Sequence, residues 1–80
     1  MNSATLEIKG NTGTLTVKLD GKTIAKKVRA TERTGKGWGG VMAAANREVE
    51  RLGVYVQVWN GGTGDGTYRT ALGSAPMFLD

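Results

Sequence analysis

The 80-residue sequence contains neither cysteine nor histidine, and these absences exclude most familiar kinds of active site. Without cysteine there is no disulfide framework and no thiolate nucleophile, and without both residues the usual zinc sites cannot form. Without histidine there is no imidazole base. Glu48 and Glu50 lie two apart on a predicted helix and point in different directions, so they form no carboxylate pair. We therefore expect a protein that is not an enzyme and that binds no metal or cofactor.

Long apolar runs are absent as well, which excludes a membrane-spanning helix of ordinary length. The residues from Met1 to Leu6 have neither the basic stretch nor the apolar core of a signal peptide. A chain of this length has room for one core. We expect one soluble, cytoplasmic domain over residues 1–80, with residues 73–80 as a loosely ordered tail. We expect no membrane partner, and a monomer or a weak dimer.

The positive charge is concentrated in one segment. The net charge is +4, but the segment from Lys18 to Lys36 alone carries +5, which leaves −1 for the rest. Its basic residues are Lys18, Lys22, Lys26, Lys27, Arg29, Arg33 and Lys36, against Asp20 and Glu32. A charge run is often only a solvated face, yet a local excess also raises encounter rates with nucleic acid or an acidic protein surface.

Alternation of apolar and polar residues predicts three strands in the first part of the chain. Residues 6–9 alternate and precede a turn at residues 10–13, and the clearest strand covers residues 14–19. Asp20-Gly21 then suits a two-residue type I′ turn, because both central residues of that turn need positive φ. The third strand is predicted from about Lys22 to Ala30.

The Asp20-Gly21 turn sets the register of the second hairpin and places Val17 opposite Ile24. One face then collects the apolar side chains, namely Leu15, Val17, Leu19, Ile24 and Val28. The opposite, open face collects Lys18, Lys27 and Arg29. Lys26 falls on the apolar face, opposite Leu15. There we expect either a bulge or a lysine stem along the sheet rim with its ammonium in water.

The second half of the chain predicts one helix and two further strands. Residues 31–40 (TERTGKGWGG) are glycine-rich and predict a mobile connection. Apolar residues then recur at helical spacing and predict an amphipathic helix of about four turns that ends at Gly53. These residues are Trp38, Val41, Met42, Ala45, Val49 and Leu52. We expect Trp38 to pack at the core or its rim.

After the helix, residues 54–59 (VYVQVW) predict a fourth strand, with its valines toward the helix and Tyr55, Gln57 and Trp59 on the other face. Residues 67–72 predict a short fifth strand. The fold class is therefore α+β, with an antiparallel sheet of four to five strands in the order β-β-β-α-β-β and the helix on one face. An exposed edge at strand one or strand five is expected, where another copy or a partner's sheet pairs.

Two glycine-rich segments match ligand-binding expressions. Gly35, Gly37 and Gly40 satisfy G-x-G-x-x-G, but the preceding strand ends too early and the chain is too short for a dinucleotide fold. The favoured interpretation is a hinge. The alternative is that the free backbone amides at the start of the helix, together with Lys36, bind a phosphate or carboxylate of a partner. Residues 61–65 are similar to one calcium-binding repeat, which occurs once and supplies a single carboxylate. A turn is favoured there.

The candidate partner-binding residues are the basic residues of the third strand and its surroundings together with two aromatics. If strand four neighbours strand three, the aromatics and the basic residues adjoin, as in proteins that bind single-stranded nucleic acid. The set consists of Lys18, Lys22, Lys27, Arg29, Arg33, Lys36, Tyr55 and Trp59. On these residues alone, one hypothesis is a small basic nucleic-acid-binding domain that uses its sheet face.

The layout also resembles that of a class of small phage proteins. The segments TLTVKLDGKTIAKKVRA, GWGGVMAAANREVERLG and VYVQVW, within residues 14–59, follow the order of the small phage- and mobile-element-encoded anti-CRISPR proteins. The resemblance is one of size and layout, without a shared motif. It implies stoichiometric binding to a type I CRISPR surveillance complex, which blocks the binding of target DNA. This inhibitor is the leading hypothesis from the sequence, with the nucleic-acid-binding domain as the alternative.

Overall fold

The computed structural model describes residues 2–56, 58–61 and 64–74, which form one helix packed on a five-stranded antiparallel sheet. The strand order across the sheet is β3-β2-β1-β5-β4. This architecture confirms the predicted α+β class and the β-β-β-α-β-β order. The elements are β1 (Ser3–Lys9), β2 (Thr12–Leu19), β3 (Lys22–Arg29), α1 (Gly37–Arg51), β4 (Val54–Val56) and β5 (Gly66–Ser74).

Two tight turns build the first three strands. Asp20 (φ 50°) and Gly21 (φ 83°) both have positive φ, as a type I′ turn requires, and the predicted pairing of Val17 with Ile24 is confirmed. The first turn is shorter than predicted. Lys9 pairs directly with Thr12, so residues 12 and 13 belong to β2.

Lys26 lies on the helix side of the sheet, opposite Leu15, in a register without a bulge. Its ammonium is 3.0 Å from Oε2 of Glu48 on α1, while its side chain remains 54% exposed. Arg51 binds the other oxygen of the same carboxylate at 3.1 Å. The hydrogen bond from Lys26, helped by the charge of Arg51, holds the pKa of Glu48 below its usual range although partial desolvation opposes the shift.

The edges of the sheet differ from the prediction. An exposed edge was expected at strand one or strand five, but β1 lies between β2 and β5, and β5 lies between β1 and β4. The reason is that β5 is long enough to pair with β1 through residues 66–71 and with β4 through residues 72–74. The edges are therefore β3 and β4.

The core lies between α1 and the sheet. Val41, Ala45 and Val49 of α1 pack on apolar side chains of the first two strands, which are Leu6, Ile8, Leu15 and Val17. Trp38, which was expected to pack there, is 41% exposed, because it lies in the first turn of α1 outside the buried positions. No helix within the described ranges is long and apolar enough to cross a membrane.

The fourth strand ends earlier than predicted. β4 covers only Val54–Val56, after which Val58 is 68% exposed and Trp59 packs against the core. The indole Nε1 of Trp59 donates a hydrogen bond to Oδ1 of Asn46 on α1 at 2.7 Å. This partner explains why the ring turns toward the helix and the alternation stops. Gln57 and the last six residues lie outside the described residues, whereas residues 73 and 74 of the predicted tail belong to β5.

Candidate functional site

The face of the sheet that α1 does not cover is here called the open face. Directly opposite residues of antiparallel strands share a face, so the pairing of Thr14 with Glu7 and Lys27 identifies its members. Six charged residues of the described strands lie on it. They are Glu7 and Lys9 of β1, Lys18 of β2, Lys27 and Arg29 of β3, and Arg69 of β5.

A groove of about 560 Å³ runs across this face near the β1–β2 turn, and it is called the basic groove below. Two cross-strand rows form it: Arg29, Thr12 and Lys9 in one row, and Lys27, Thr14 and Glu7 in the next. The strand spacing places the outer members of each row about 10 Å apart, with a threonine between them. Gly13 and Val28 complete the lining.

The cations of the basic groove have no carboxylate partner in the part of the chain that the structure describes. The ion pairs found there join Glu48 to Lys26 and Arg51, on the helix side of the sheet. Lys9, Lys27 and Arg29 are exposed, and Glu7 is exposed without an ion pair among these residues. Unpaired, solvated cations of this kind are available to a phosphate or a carboxylate without the loss of an internal contact.

Side-chain hydrogen bonds fix the turn at the end of the groove. The amide of Gly10 donates to Oδ1 of Asp65 at 2.7 Å, and the amide of Gly37 donates to Oδ1 of Asn11 at 2.7 Å. The backbone oxygen of Asn11 also accepts a bond from the amide of Ala30 at 2.8 Å. The β1–β2 turn is thereby tied to β3, to the start of α1 and to the segment before β5.

On the opposite side of the sheet, α1 packs closely on β2 behind the groove. A Cβ atom at position 13 would lie only 2.7 Å from Cγ1 of Val41, so glycine permits the close approach of helix and strand. Thr12, beside it, donates its hydroxyl to the Lys9 oxygen at 3.0 Å. Thr12 therefore retains acceptor capacity toward a ligand.

The structure separates the predicted basic residues into groups. Lys27 and Arg29 line the basic groove, whereas Lys18 lies on the open face in the row of Thr23 and Ser3, toward the other end of β2. Lys22 pairs with Leu19 and so belongs to the helix side. Successive side chains of a strand point to opposite faces, and Lys22 is an odd number of residues from Lys27, so the two lie on opposite faces of β3.

Arg33 and Lys36 are exposed in the segment between β3 and α1. This segment was predicted to be a mobile connection up to Gly40. Its predicted end is wrong, because α1 already begins at Gly37. Within the segment, the Thr31 amide donates a hydrogen bond to Oγ1 of Thr34 at 2.8 Å. The Asn11 contacts tie the two ends of this segment, at Ala30 and Gly37, to the turn at the end of the basic groove, but Arg33 and Lys36 do not line the groove.

The two aromatic candidates do not adjoin the basic residues. The predicted juxtaposition required strand four beside strand three, but β4 and β3 are the opposite edges of the sheet. The ring of Tyr55 lies against Gly73, so close that a Cβ atom added at Gly73 would be 3.1 Å from it. Trp59 contacts Asn46 on the helix side. No aromatic residue lies among those that line the basic groove.

Sequence reasoning missed Lys9, Glu7 and Arg69 as members of the site. The alternation of Glu7 and Lys9 with Ile8 indicates that the two charged residues share a face. The predicted turn of four residues did not fix how β1 pairs with β2, and the observed turn is shorter. Arg69 joins the open face because β5 pairs with β1, where it opposes Thr5. That pairing is distant in sequence and has no local signal.

The glycines of the G-x-G-x-x-G match have structural explanations. Gly35 (φ +90°) and Gly37 (φ +77°) adopt positive φ, which side chains rarely tolerate. A Cβ atom at Gly40 would overlap the carbonyl group of Gly35 and lie 2.8 Å from Cβ of Ala30. The match therefore follows from how the chain enters α1.

Comparison with known protein families, with curated proteins and with solved structures finds no significant match to this chain. The open face and its basic groove are the features from which a function is inferred.

Proposed function

We propose that this protein is a small, non-enzymatic binding module that holds nucleic acid against the open face through phosphate contacts in the basic groove. The observation that supports the proposal best is the set of unpaired cations, Lys9, Lys27 and Arg29, around an exposed groove. Two of the acidic residues are engaged in the fold instead, since Asp65 binds the Gly10 amide and Glu48 binds Lys26. A cytoplasmic location, where nucleic acid is accessible, is part of this proposal.

Contacts of this type fix position without reading bases. Lysine and arginine side chains neutralise phosphates, and threonine hydroxyls such as those of Thr12 and Thr14 bind phosphate oxygens. No helix or hairpin projects from the open face of the described strands toward a major groove, since α1 lies on the other side. Binding is therefore sequence-independent, with a Kd on the order of 10⁻⁴ to 10⁻⁶ M at physiological salt.

The test is a titration of a labelled duplex, followed by fluorescence anisotropy over a range of salt concentrations. Three groove cations predict a slope of log K against log salt of about −2 to −3. Charge reversal of Lys27 and Arg29 to glutamate on the open face should abolish binding or flatten the slope by about two.

The matched control is the double variant Lys22→Glu, Arg47→Glu, which makes the same change in net charge with one exposed residue on the helix side of β3 and one on α1. It should keep the slope of the wild type. Equal losses in the two double variants would show that net charge, and not the open face, determines binding. If the wild type does not change the anisotropy of any labelled nucleic acid, the proposal is refuted.

A second candidate function is the inhibition of a type I CRISPR surveillance complex, which the sequence layout suggests. The observation in its favour is Trp38, an aromatic side chain that is 41% exposed beside the cationic segment of Arg33 and Lys36. Exposed tryptophan and arginine are enriched in protein–protein interfaces. In this proposal, the segment binds an acidic patch on the effector or the nucleic acid held there.

The two candidates give different results in one mobility-shift assay with a labelled target duplex. An inhibitor leaves the free duplex alone but stops a purified surveillance complex from shifting it, and Trp38→Ala relieves the inhibition. A nucleic-acid-binding module shifts the free duplex itself, and high salt abolishes that shift. If the surveillance complex shifts its target normally at a molar excess of the protein, the inhibitor proposal is wrong.

A further inference from the structure

The basic groove contains one acidic side chain, and its position is informative. Glu7 faces Lys27 across Thr14, at the fourth corner of a site whose other corners are Lys9, Lys27 and Arg29. It forms no ion pair among the described residues. A carboxylate there repels phosphate and so weakens the binding of any polyanion, unless the ligand supplies a hydrogen-bond donor to it.

The N–H groups of a base and, in RNA, the 2′-hydroxyl of the sugar are the parts of a nucleic acid that can supply that donor to the basic groove. No aromatic residue lines it, so it provides no platform on which a base stacks. With phosphates on the cations, the neighbouring chemical unit is the sugar. The ribose of RNA carries a 2′-hydroxyl that donates a hydrogen bond, and the deoxyribose of DNA does not.

We infer that Glu7 makes the basic groove selective for the ribose backbone, so that RNA is preferred to DNA as its ligand. This inference rests on the proposed function and adds the ligand class and the residue that selects it. Arg29, Lys27 and Lys9 hold phosphates, and the Glu7 carboxylate accepts the bond from a 2′-hydroxyl.

The experiment compares three labelled oligomers of the same length and base: oligouridine RNA, oligodeoxyuridine and 2′-O-methyl oligouridine. Anisotropy at low salt gives the Kd of each. A hydrogen bond to a charged acceptor predicts that the wild type binds RNA about tenfold more tightly than either of the other two. The 2′-O-methyl oligomer separates the hydroxyl donor from the sugar conformation, since it keeps a ribose-like ring without the donor.

Glu7→Ala should bring the RNA-to-DNA ratio close to one and strengthen DNA binding, because the repulsion of phosphate is removed as well. The matched control is Glu32→Ala, which removes the same charge from an exposed residue outside the groove and should leave the ratio unchanged. Circular dichroism confirms that both variants are folded.

The two ways to fail are distinct. If the wild type binds RNA and DNA equally, or binds 2′-O-methyl RNA as tightly as RNA, the inference about Glu7 is wrong while the proposed function stands. An unchanged ratio in Glu7→Ala has the same meaning. If none of the oligomers and no duplex binds, the proposed function itself is overturned.

Discussion

Two adjacent glycines in the first turn of α1 should respond in opposite directions to the same substitution. Gly39 and Gly40 are both helical. Alanine loses less conformational entropy than glycine on folding, and in a helix this difference stabilises the folded state by about 0.5–1 kcal/mol. A Cβ atom at Gly39 meets nothing within 4 Å. Gly39→Ala should therefore stabilise the protein by about 0.5 kcal/mol, since the first turn of a helix realises only part of the gain.

At Gly40 the same methyl group has no room. Its Cβ would overlap the carbonyl group of Gly35 and approach Cβ of Ala30 to 2.8 Å, and the obstructing atoms are mainly backbone. Overpacking of this kind costs about 1–3 kcal/mol, which exceeds the helix gain. Gly40→Ala should therefore destabilise the protein by about 1–2 kcal/mol net.

The assay is urea and thermal unfolding followed by circular dichroism at the helix signal. For a domain of this size, 1 kcal/mol shifts Tm by about 4–8 °C. Gly39→Ala should raise Tm by a few degrees, and Gly40→Ala should lower it by roughly 5–10 °C. If both variants melt above the wild type, the contact between Gly35 and Gly40 does not limit the helix start, and the structural account of the glycine motif fails.

Two further predictions concern contacts that hold the site in place. Because the folded pKa of Glu48 is lowered, its ion pairs stabilise the fold above the unfolded pKa, and this contribution disappears as the pH falls through the folded value. Glu48→Gln should thus lower the free energy of unfolding, measured in urea, by about 0.2–1 kcal/mol at pH 7 and leave it unchanged once the pH is well below 4.5. An equal loss of stability at both pH values would contradict this prediction. Asn11→Ala removes the acceptor of the Gly37 amide and should lower the stability measured by thermal unfolding by about 1 kcal/mol. Asn11→Asp keeps the acceptor and places a negative charge at the helix start, so this variant should be as stable as the wild type. If alanine and aspartate are equally destabilising, the bond to Gly37 is not what Asn11 contributes.

Local patterns in the sequence predicted local structure well. Asp20-Gly21 determined a turn type, the turn type determined a register, and the register placed Lys18, Lys27 and Arg29 on one face. Each step involves residues that are close in sequence, so the geometry follows from backbone preferences. The end of α1 at Gly53, with φ +80°, is of the same kind.

The parts that were missed depend on contacts between distant residues. Trp59 continues an alternating pattern, but the pattern does not show that Asn46 offers its indole a hydrogen-bond partner on α1. Likewise, nothing near Arg69 indicates that β5 pairs with β1 and brings it onto the open face. The candidate site was therefore half predicted: the β3 cations were found, and the β1 and β5 members were not.

The central position of β1 has a consequence for how the chain folds. β2 and β3 form by short hairpins, but the other side of β1 waits for β5, since Ser3 pairs with Ala71. Closing such a long loop is slow, so folding is expected to be rate-limited by the docking of β5 and not by α1. During synthesis, β1 leaves the ribosome before β5 and keeps an unpaired edge until residues 66–74 emerge. Over that interval the open edge of β1 is free to pair with a strand of another chain, so a chain interrupted before β5 is expected to aggregate more readily than the whole domain.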